Sequence, residues 1–224
     1  MAGEVRPRAY CPPDAGALDV LYQDAALIVA SKPAGLLSVP GKGPDKQACA
    51  LQYLTAEFGT VLDVHRLDMD TSGLIVFART AEAQGHLSAQ FRDRRVSKTY
   101  DALVAGCPES ASGRIDLPIG RRWEDRPKRC IDRTNGKQAI TDWQLVRCSG
   151  ERSHLKLIPL TGRTHQLRLH LSAVGHPIIG DPLYGEGDRE KRLYLHASSL
   201  KFTHPDSQQS VEFTSSSPFS LRDA

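Results

Sequence analysis

The chain has 224 residues, 40% hydrophobic and 25% charged, with a formal net charge of +3. That balance is ordinary for a globular protein and excludes wholesale disorder, and no apolar run approaches the ~20 residues needed to cross a bilayer. The first residues, MAGEVRPRAYCPPDAG, hold no apolar stretch of the kind that directs secretion, so no membrane partner and a cytoplasmic location are expected.

Residues 1–17, with three prolines and two glycines, read as a loose arm. Residues 18–22 and 27–30 read as short strands of a hairpin, the second ended by Lys32, Pro33 and Gly35. SVPGKGPDK (38–46) is a loop by composition. Residues 48–58 have helical spacing through Leu51, Tyr53, Leu54 and Phe58, and Gly59 stops them. HRLDMDTSG (65–73) is a polar loop that enters GLIVFAR (73–79), whose continuous apolar run predicts a strand buried on both faces. Thr80 caps a helix to about residue 94, with Ala83, Leu87 and Phe91 on one face. KTYDALVAG (98–106) returns as a strand. Residues 137–148 and 153–160 alternate as two more strands, with Ser149 and Gly150 as their turn. Thr164 is the expected N-cap of a helix through residue 174, with Leu167, Leu171 and Val174 toward the core and His165, Arg168 and Ser172 on a polar face. Residues 194–202 and 211–214 read as the last strands, and 215–224 as a tail. With no repeat and no interior linker, the expectation is one α+β domain over 18–214, a mixed, mostly antiparallel β-sheet flanked by helices and loops.

Cys11, Cys49, Cys107, Cys130 and Cys148 form an odd, widely spaced set without C-x-x-C, so no disulfide framework or structural zinc is expected and the thiols should stay reduced. Charge is concentrated rather than spread. Residues 121–137 hold seven Lys or Arg against three acids, a net +4, and Arg92, Arg94, Arg95 and Lys98 precede Tyr100. Such patches permit nucleic-acid binding and are equally compatible with a solvated face.

Asp63, His65, Asp68 and Asp70 are ligand-type side chains within eight residues. However, Arg66 among them would repel a dication, and no H-x-H or H-E-x-x-H spacing occurs, so no metal is expected. There is no G-x-S-x-G nucleophile elbow, and GKG (41–43) is too short for a phosphate-binding loop. What remains is carboxylate chemistry at Asp68 without metal or cofactor. A carboxylate facing RNA phosphates needs a cation to stay charged, and Arg168 is the candidate. The plainer readings are Asp68 as a turn or cap aspartate, Arg66 and Arg168 as surface ion-pair partners, and Tyr100 as a half-buried strand residue.

Longer segments carry a resemblance. HRLDMDTSGLIVFAR is similar to the catalytic motif of the RluA family of RNA pseudouridine synthases, ASKPAGLLSVPG (30–41) to its first motif, and SKTYDALVAG (97–106) to its tyrosine-bearing strand. LTGRTHQLRLHLSAVGHPIIGDPLYG (160–185) resembles the third motif and LHASSLKFTHP (195–205) the closing one. The resemblance implies a single pseudouridine synthase catalytic domain that works as a monomer on RNA with no cofactor. It implies Asp68 as the essential aspartate, Tyr100 as the tyrosine that stacks on the target uracil, and Arg168 as the partner of the aspartate. Arg66 would fill the gap left by a flipped nucleotide, and Leu67, Leu74 and Leu167 are candidate apolar walls. The short chain, the stretch DLPIGRRWEDRPKRC (116–130) and the lack of room for an S4-like domain before residue 18 bring it nearest to members that act on both 23S rRNA and the tRNA anticodon stem-loop. Asp70 departs from the family pattern, where a small residue is usual. Asp68 could attack ribose C1′, stabilise an oxocarbenium-like ribose, or remove a ribose proton to give a glycal. Two readings compete with an isomerase: an RNA-binding ribosome-assembly factor whose motif is idle, and a metal-dependent phosphoesterase using Asp63, His65 and Asp68.

Overall fold

The computed structural model describes residues 9–185 and 192–222. In chain order it has β1 (Asp19–Gln23), β2 (Leu27–Lys32), α1 (Ala50–Phe58), β3 (Leu62–Asp63), β4 (Ser72–Ala78), α2 (Ala81–Arg92) and β5 (Ser97–Ala105). There follow β6 (Ser112–Asp116), β7 (Ile119–Arg121), β8 (Arg129–Ile131), β9 (Ile140–Ser149), β10 (Arg152–Pro159), α3 (Gln166–Ala173), β11 (Leu195–Thr203) and β12 (Ser210–Thr214). One sheet runs β1-β2-β4-β11-β5-β10-β9-β6, with β3 paired to β4 and β12 to β11, while β7 and β8 make a separate ribbon. Within that sheet only β4 and β11 pair in parallel, so the fold is the expected α+β with a mixed, mostly antiparallel sheet.

The apolar run of β4 is explained by what covers it. Ile75 and Phe77 pack with Leu54 of α1 and Leu67, whereas Leu74, Val76 and Ala78 pack on the other face with Ala83 and Leu87 of α2. A strand with both faces covered has no polar side to alternate. Its first residues meet β11 so closely that a Cβ on Gly73 would lie 2.3 Å from the Ala197 carbonyl oxygen, and Gly73 adopts φ +108. Only glycine fits there. A third cluster, with Leu155, Leu157, Leu167, Leu171 and Leu195, fills the other half of the sheet under α3. Tyr100 packs against both the α1 and the α3 clusters, at their junction.

Thr80 caps α2 as expected, accepting the Ala83 amide at 3.1 Å. At α3 the expected Thr164 cap is not used. A tight turn from Arg163 to Gln166 puts His165 in the left-handed region at φ 57, and the helix starts at Gln166. The Gln166 side-chain oxygen closes that turn, accepting from the Thr161 hydroxyl and the Arg163 amide at 2.7 and 3.0 Å. The cysteine expectation is also corrected. Cys107, just past β5, and Cys148, at the end of β9, form a disulfide with Cα atoms 5.9 Å apart. Both strands pair with β10, so the register brings together residues that are 41 apart in sequence. Among the described residues outside 18–214, Tyr10 bonds the Ala48 carbonyl at 2.8 Å, and Phe219 sits on Tyr194. No helix among the described residues is long and apolar enough to cross a membrane.

Candidate active site

The loop before β4 is held by its backbone. Ser38 donates its hydroxyl to the Leu67 carbonyl at 2.9 Å and accepts the Leu67 amide at 3.1 Å. Lys32 is fully buried and donates to the carbonyls of Leu36, Pro33 and Met69 at 2.7, 2.8 and 2.9 Å, while the Gly35 amide also donates to Met69. The ASKPAGLLSVPG segment is therefore a clamp on the two peptides either side of Asp68. Burial pushes the Lys32 ammonium down to about 7, against the upward pull of the Asp70 and Asp68 carboxylates. On the far side of the loop, Ser72 accepts from Arg192 at 2.7 Å and contacts His196 Nδ1 at 2.9 Å.

Asp68 itself is about a quarter exposed, and Arg168 Nη1 donates to its Oδ2 at 3.2 Å. The other edge of that guanidinium is taken by Asp181: Nε and Nη2 donate to the two carboxylate oxygens at 2.8 and 2.7 Å. Asp181 in turn accepts the Leu183 and Tyr184 amides. Arg168 and Asp181 side chains are 3% and 0% exposed, so this is a buried, two-toothed ion pair that aims its remaining nitrogen at Asp68. Burial works against the Arg168 charge, but the hydrogen bonds and charge of Asp181, then those of Asp68, hold its pKa above the ordinary arginine value. Asp68 Oδ1 has no protein partner among the described residues and is left for a ligand.

The left-handed turn also brings His165 Nε2 to 3.9 Å from Asp68 Oδ2. Its Nδ1 lies 2.9 Å from the Tyr184 hydroxyl, which already accepts the Arg129 amide at 2.7 Å. A phenol proton given to Nδ1 places the imidazole proton on Nε2, facing Asp68; this is one of the two tautomers the contact allows. Burial lowers the His165 pKa, outweighing the opposing pull of Asp68. Tyr100 has its phenol pKa pushed up by burial and then by the charge of Asp68.

The sequence-derived residues divide accordingly. Asp68 and Arg168 meet directly, Tyr100 sits within reach of the Asp68 charge, and Leu67 and Leu167 are nearly buried beside Asp68 and Arg168 in the two clusters that Tyr100 joins. Arg66 is exposed and makes no hydrogen bond or ion pair among the described residues. Leu74 is not a wall of this site; it lies on the opposite face of β4 with Leu87. His65 is committed elsewhere: its Nε2 accepts the Val76 amide at 3.2 Å and its ring stacks on Phe91, with burial and then Lys98 lowering its pKa to about 3. Among the described residues no three His, Cys, Asp or Glu side chains converge as metal ligands. Asp70 is half-buried; burial raises its pKa, opposed by the charges of Arg168 and Lys32. Sequence reasoning missed Lys32, Asp181 and Tyr184 as site residues, although all three lie in segments it singled out. The signal available for Asp181 was a carboxylate between Gly180 and Pro182 in a polar stretch that follows α3.

Residues 26–173 match the family model described as RNA pseudouridylate synthase. The chain is similar to the dual-specificity RNA pseudouridine synthase RluA of Haemophilus influenzae, 44% identical over 214 residues that cover 94% of this chain and 98% of that protein. Its Escherichia coli K12 counterpart is 41% identical with the same coverage. Among solved structures, human RNA pseudouridylate synthase domain containing 1 superposes with a TM-score of 0.79 at 31% identity, covering 95% of this chain and 89% of that one.

Proposed function

Because the chain belongs to the RNA pseudouridylate synthase family and is an RNA pseudouridine synthase, an isomerase, we propose that it converts uridines in two structured loops, one in 23S rRNA and one in the tRNA anticodon stem-loop. Support for two substrates is the near full-length similarity to relatives that carry dual specificity in their names. The proposed working unit is a monomer, since Asp68, Arg168, Asp181 and Tyr100 all come from one chain, and the proposed location is the cytoplasm, where its RNA substrates would be met.

The observation that carries the mechanism is the Asp181–Arg168–Asp68 line ending at a free carboxylate oxygen. A uridine stacked in a loop hides its glycosidic bond, so the target base must leave the stack, at a cost of a few kcal/mol. Arg66, exposed and unpaired, fills the space it vacates, and Tyr100 offers an aromatic face to the extruded uracil. Asp68 acts at the ribose as the bond from C1′ to N1 breaks. The uracil turns, C1′ joins C5, the C5 hydrogen leaves as a proton and N1 takes one up. Hydrolysis would need a water at the same carbon, and the apolar surroundings of Leu67 and Leu167 disfavour one. In this scheme the basic segments around Arg92–Lys98 and 121–137 hold the RNA backbone.

Tritium release from C5-labelled uridine in RNA tests the assignment. Asp68→Asn and Asp68→Ala are expected to fold and bind RNA yet release no tritium, and wild-type turnover by either variant would remove Asp68 from the chemistry. A carbodiimide primer-extension map of RNA from cells lacking the protein tests specificity. Loss of signal in both loops is expected; loss in one alone would reduce the proposal to a single substrate.

A further inference from the structure

The ribbon of β7 and β8 packs Ile119 and Ile131 against Ala139 and Leu169, and it carries Trp123 in the turn between its strands, outside that cluster. Trp123 is 60% exposed, the most exposed of the large hydrophobic side chains among the described residues. A tryptophan on a basic hairpin with no core to fill is an aromatic face offered to solvent. It is also held: the Arg126 guanidinium lies 4.3 Å from the ring centroid and that of Arg121 5.2 Å. Two cations on one indole orient it and surround it with positive charge while most of its surface stays open.

A cleft of about 420 Å³ adjoins the base of this hairpin, lined by Arg122, Lys128, Arg129 and Tyr184. Asp125 pairs with Lys128 at 3.3 Å and more loosely with Arg122 at 3.9 Å, so part of that charge is met within the hairpin. Arg129 Nε is buried with no partner among the described residues. The hairpin is tied to the reacting centre, because the Arg129 amide donates to the Tyr184 hydroxyl that contacts His165, beside Asp68. The hairpin that carries the aromatic and its cations thus also lines, through Arg122, Lys128 and Arg129, a basic cleft bordered by Tyr184.

We infer that Trp123, flanked by Arg121 and Arg126, is a stacking platform for an unpaired nucleotide of the substrate loop, next to the uridine that is turned out. This rests on the RNA-isomerase reading above. Every nucleobase has a face to stack and every linkage a phosphate for arginine, so the platform grips loop RNA without selecting a sequence. Its role is to hold the loop open and in register, distinct from the uracil face of Tyr100.

The test uses the full chain and a tRNA anticodon stem-loop hairpin carrying C5-tritiated uridine. Wild-type indole emission should be quenched on adding RNA and that response lost in Trp123→Phe, with Trp143, packed over Gly113, as background. Trp123→Ala should raise both the dissociation constant and KM about tenfold, the loss expected for one base stack. Its kcat should fall less than twofold and its Tm stay put, because an exposed ring supports no core. Trp123→Phe should recover most of the affinity. Equal affinity for Trp123→Ala and wild type, or equal losses for the Ala and Phe variants, would overturn the platform. RNA-dependent quenching with no tritium release by wild type would instead sink the isomerase reading and leave the platform standing.

Discussion

Asp181→Asn perturbs an interaction that orients the site from the side away from the free Asp68 oxygen. The side chain is 0% exposed, and its two oxygens take hydrogen bonds of 2.7 and 2.8 Å from a guanidinium that is itself 3% exposed. The amide keeps one acceptor but loses the charge, and turns an N–H toward an arginine that has nothing but N–H to offer. Breaking one side of a buried ion pair costs about 3–5 kcal/mol, and the retained acceptor places this variant near the lower figure. Arg168 would then be held by one neutral acceptor at position 181 and by Asp68 at 3.2 Å. A displacement of about 1 Å at a reacting group costs about 100-fold in rate. Urea unfolding should therefore show a loss of about 3 kcal/mol, and tritium-release kinetics a kcat about 100-fold lower with KM for RNA within about threefold of wild type. A kcat within threefold of wild type, in a variant shown to be destabilised, would mean that Asp181 stabilises the fold but does not position Arg168.

Lys32→Met removes the donor to three carbonyls, each costing about 1–3 kcal/mol when left unpaired, partly offset by no longer burying an ammonium. The pH dependence is the sharper test. With a folded pKa of about 7 against an ordinary 10.5, the unfolded chain holds the extra proton between those values, so the Lys32 contribution to stability rises with pH across that window and is flat below it. The gap between wild type and variant should widen by roughly 1 kcal/mol per pH unit above about pH 7; a constant gap would assign Lys32 an ordinary ammonium. Tyr184→Phe deletes the proton donor to His165 Nδ1 and should free the other tautomer, turning a lone pair toward Asp68. Expected are an altered imidazole nitrogen NMR signature and a kcat roughly tenfold lower; an unchanged His165 spectrum would show that Tyr184 does not set the tautomer.

What the sequence disclosed follows from how local each cause is. GLIVFAR announces β4 because burial on both faces leaves a continuous apolar run, and Thr80 announces α2 because its cap bond spans only three residues. Strands β6, β7 and β8 are short and polar, and they exist through pairing rather than propensity: β6 takes its register from β9, and β7 and β8 take theirs from each other. The Asp68–Arg168 contact spans 100 residues and was still anticipated, since a carboxylate near phosphate needs a cation. Lys32 was not. Nothing local predicts that a lysine after Ala30 and Ser31 will be fully buried, because its acceptors come from its own turn and from Met69, 37 residues away. The Cys107–Cys148 bond is invisible for the same reason, being set by two strands on either side of β10.

Asp70 finds its explanation in the charge balance of this pocket. Burying Lys32 and Arg168 places two cations where water cannot shield them, and buried charge persists only when matched. Asp181 matches Arg168 by direct contact. Lys32 has three carbonyls but, among the described residues, no carboxylate within ion-pair distance, and the charge of Asp70 acts on it more strongly than that of Asp68. Asp68, Asp70 and Asp181 stand as three carboxylates around Lys32 and Arg168, and the oxygen without a protein partner among the described residues belongs to Asp68. In the proposed reaction a carboxylate is required where the ribose becomes electron-poor, and Arg168 holds this one by its other oxygen at 3.2 Å. A small residue at position 70 would leave Asp68 to serve both Lys32 and Arg168, so the extra carboxylate here supports the catalytic one instead of competing with it.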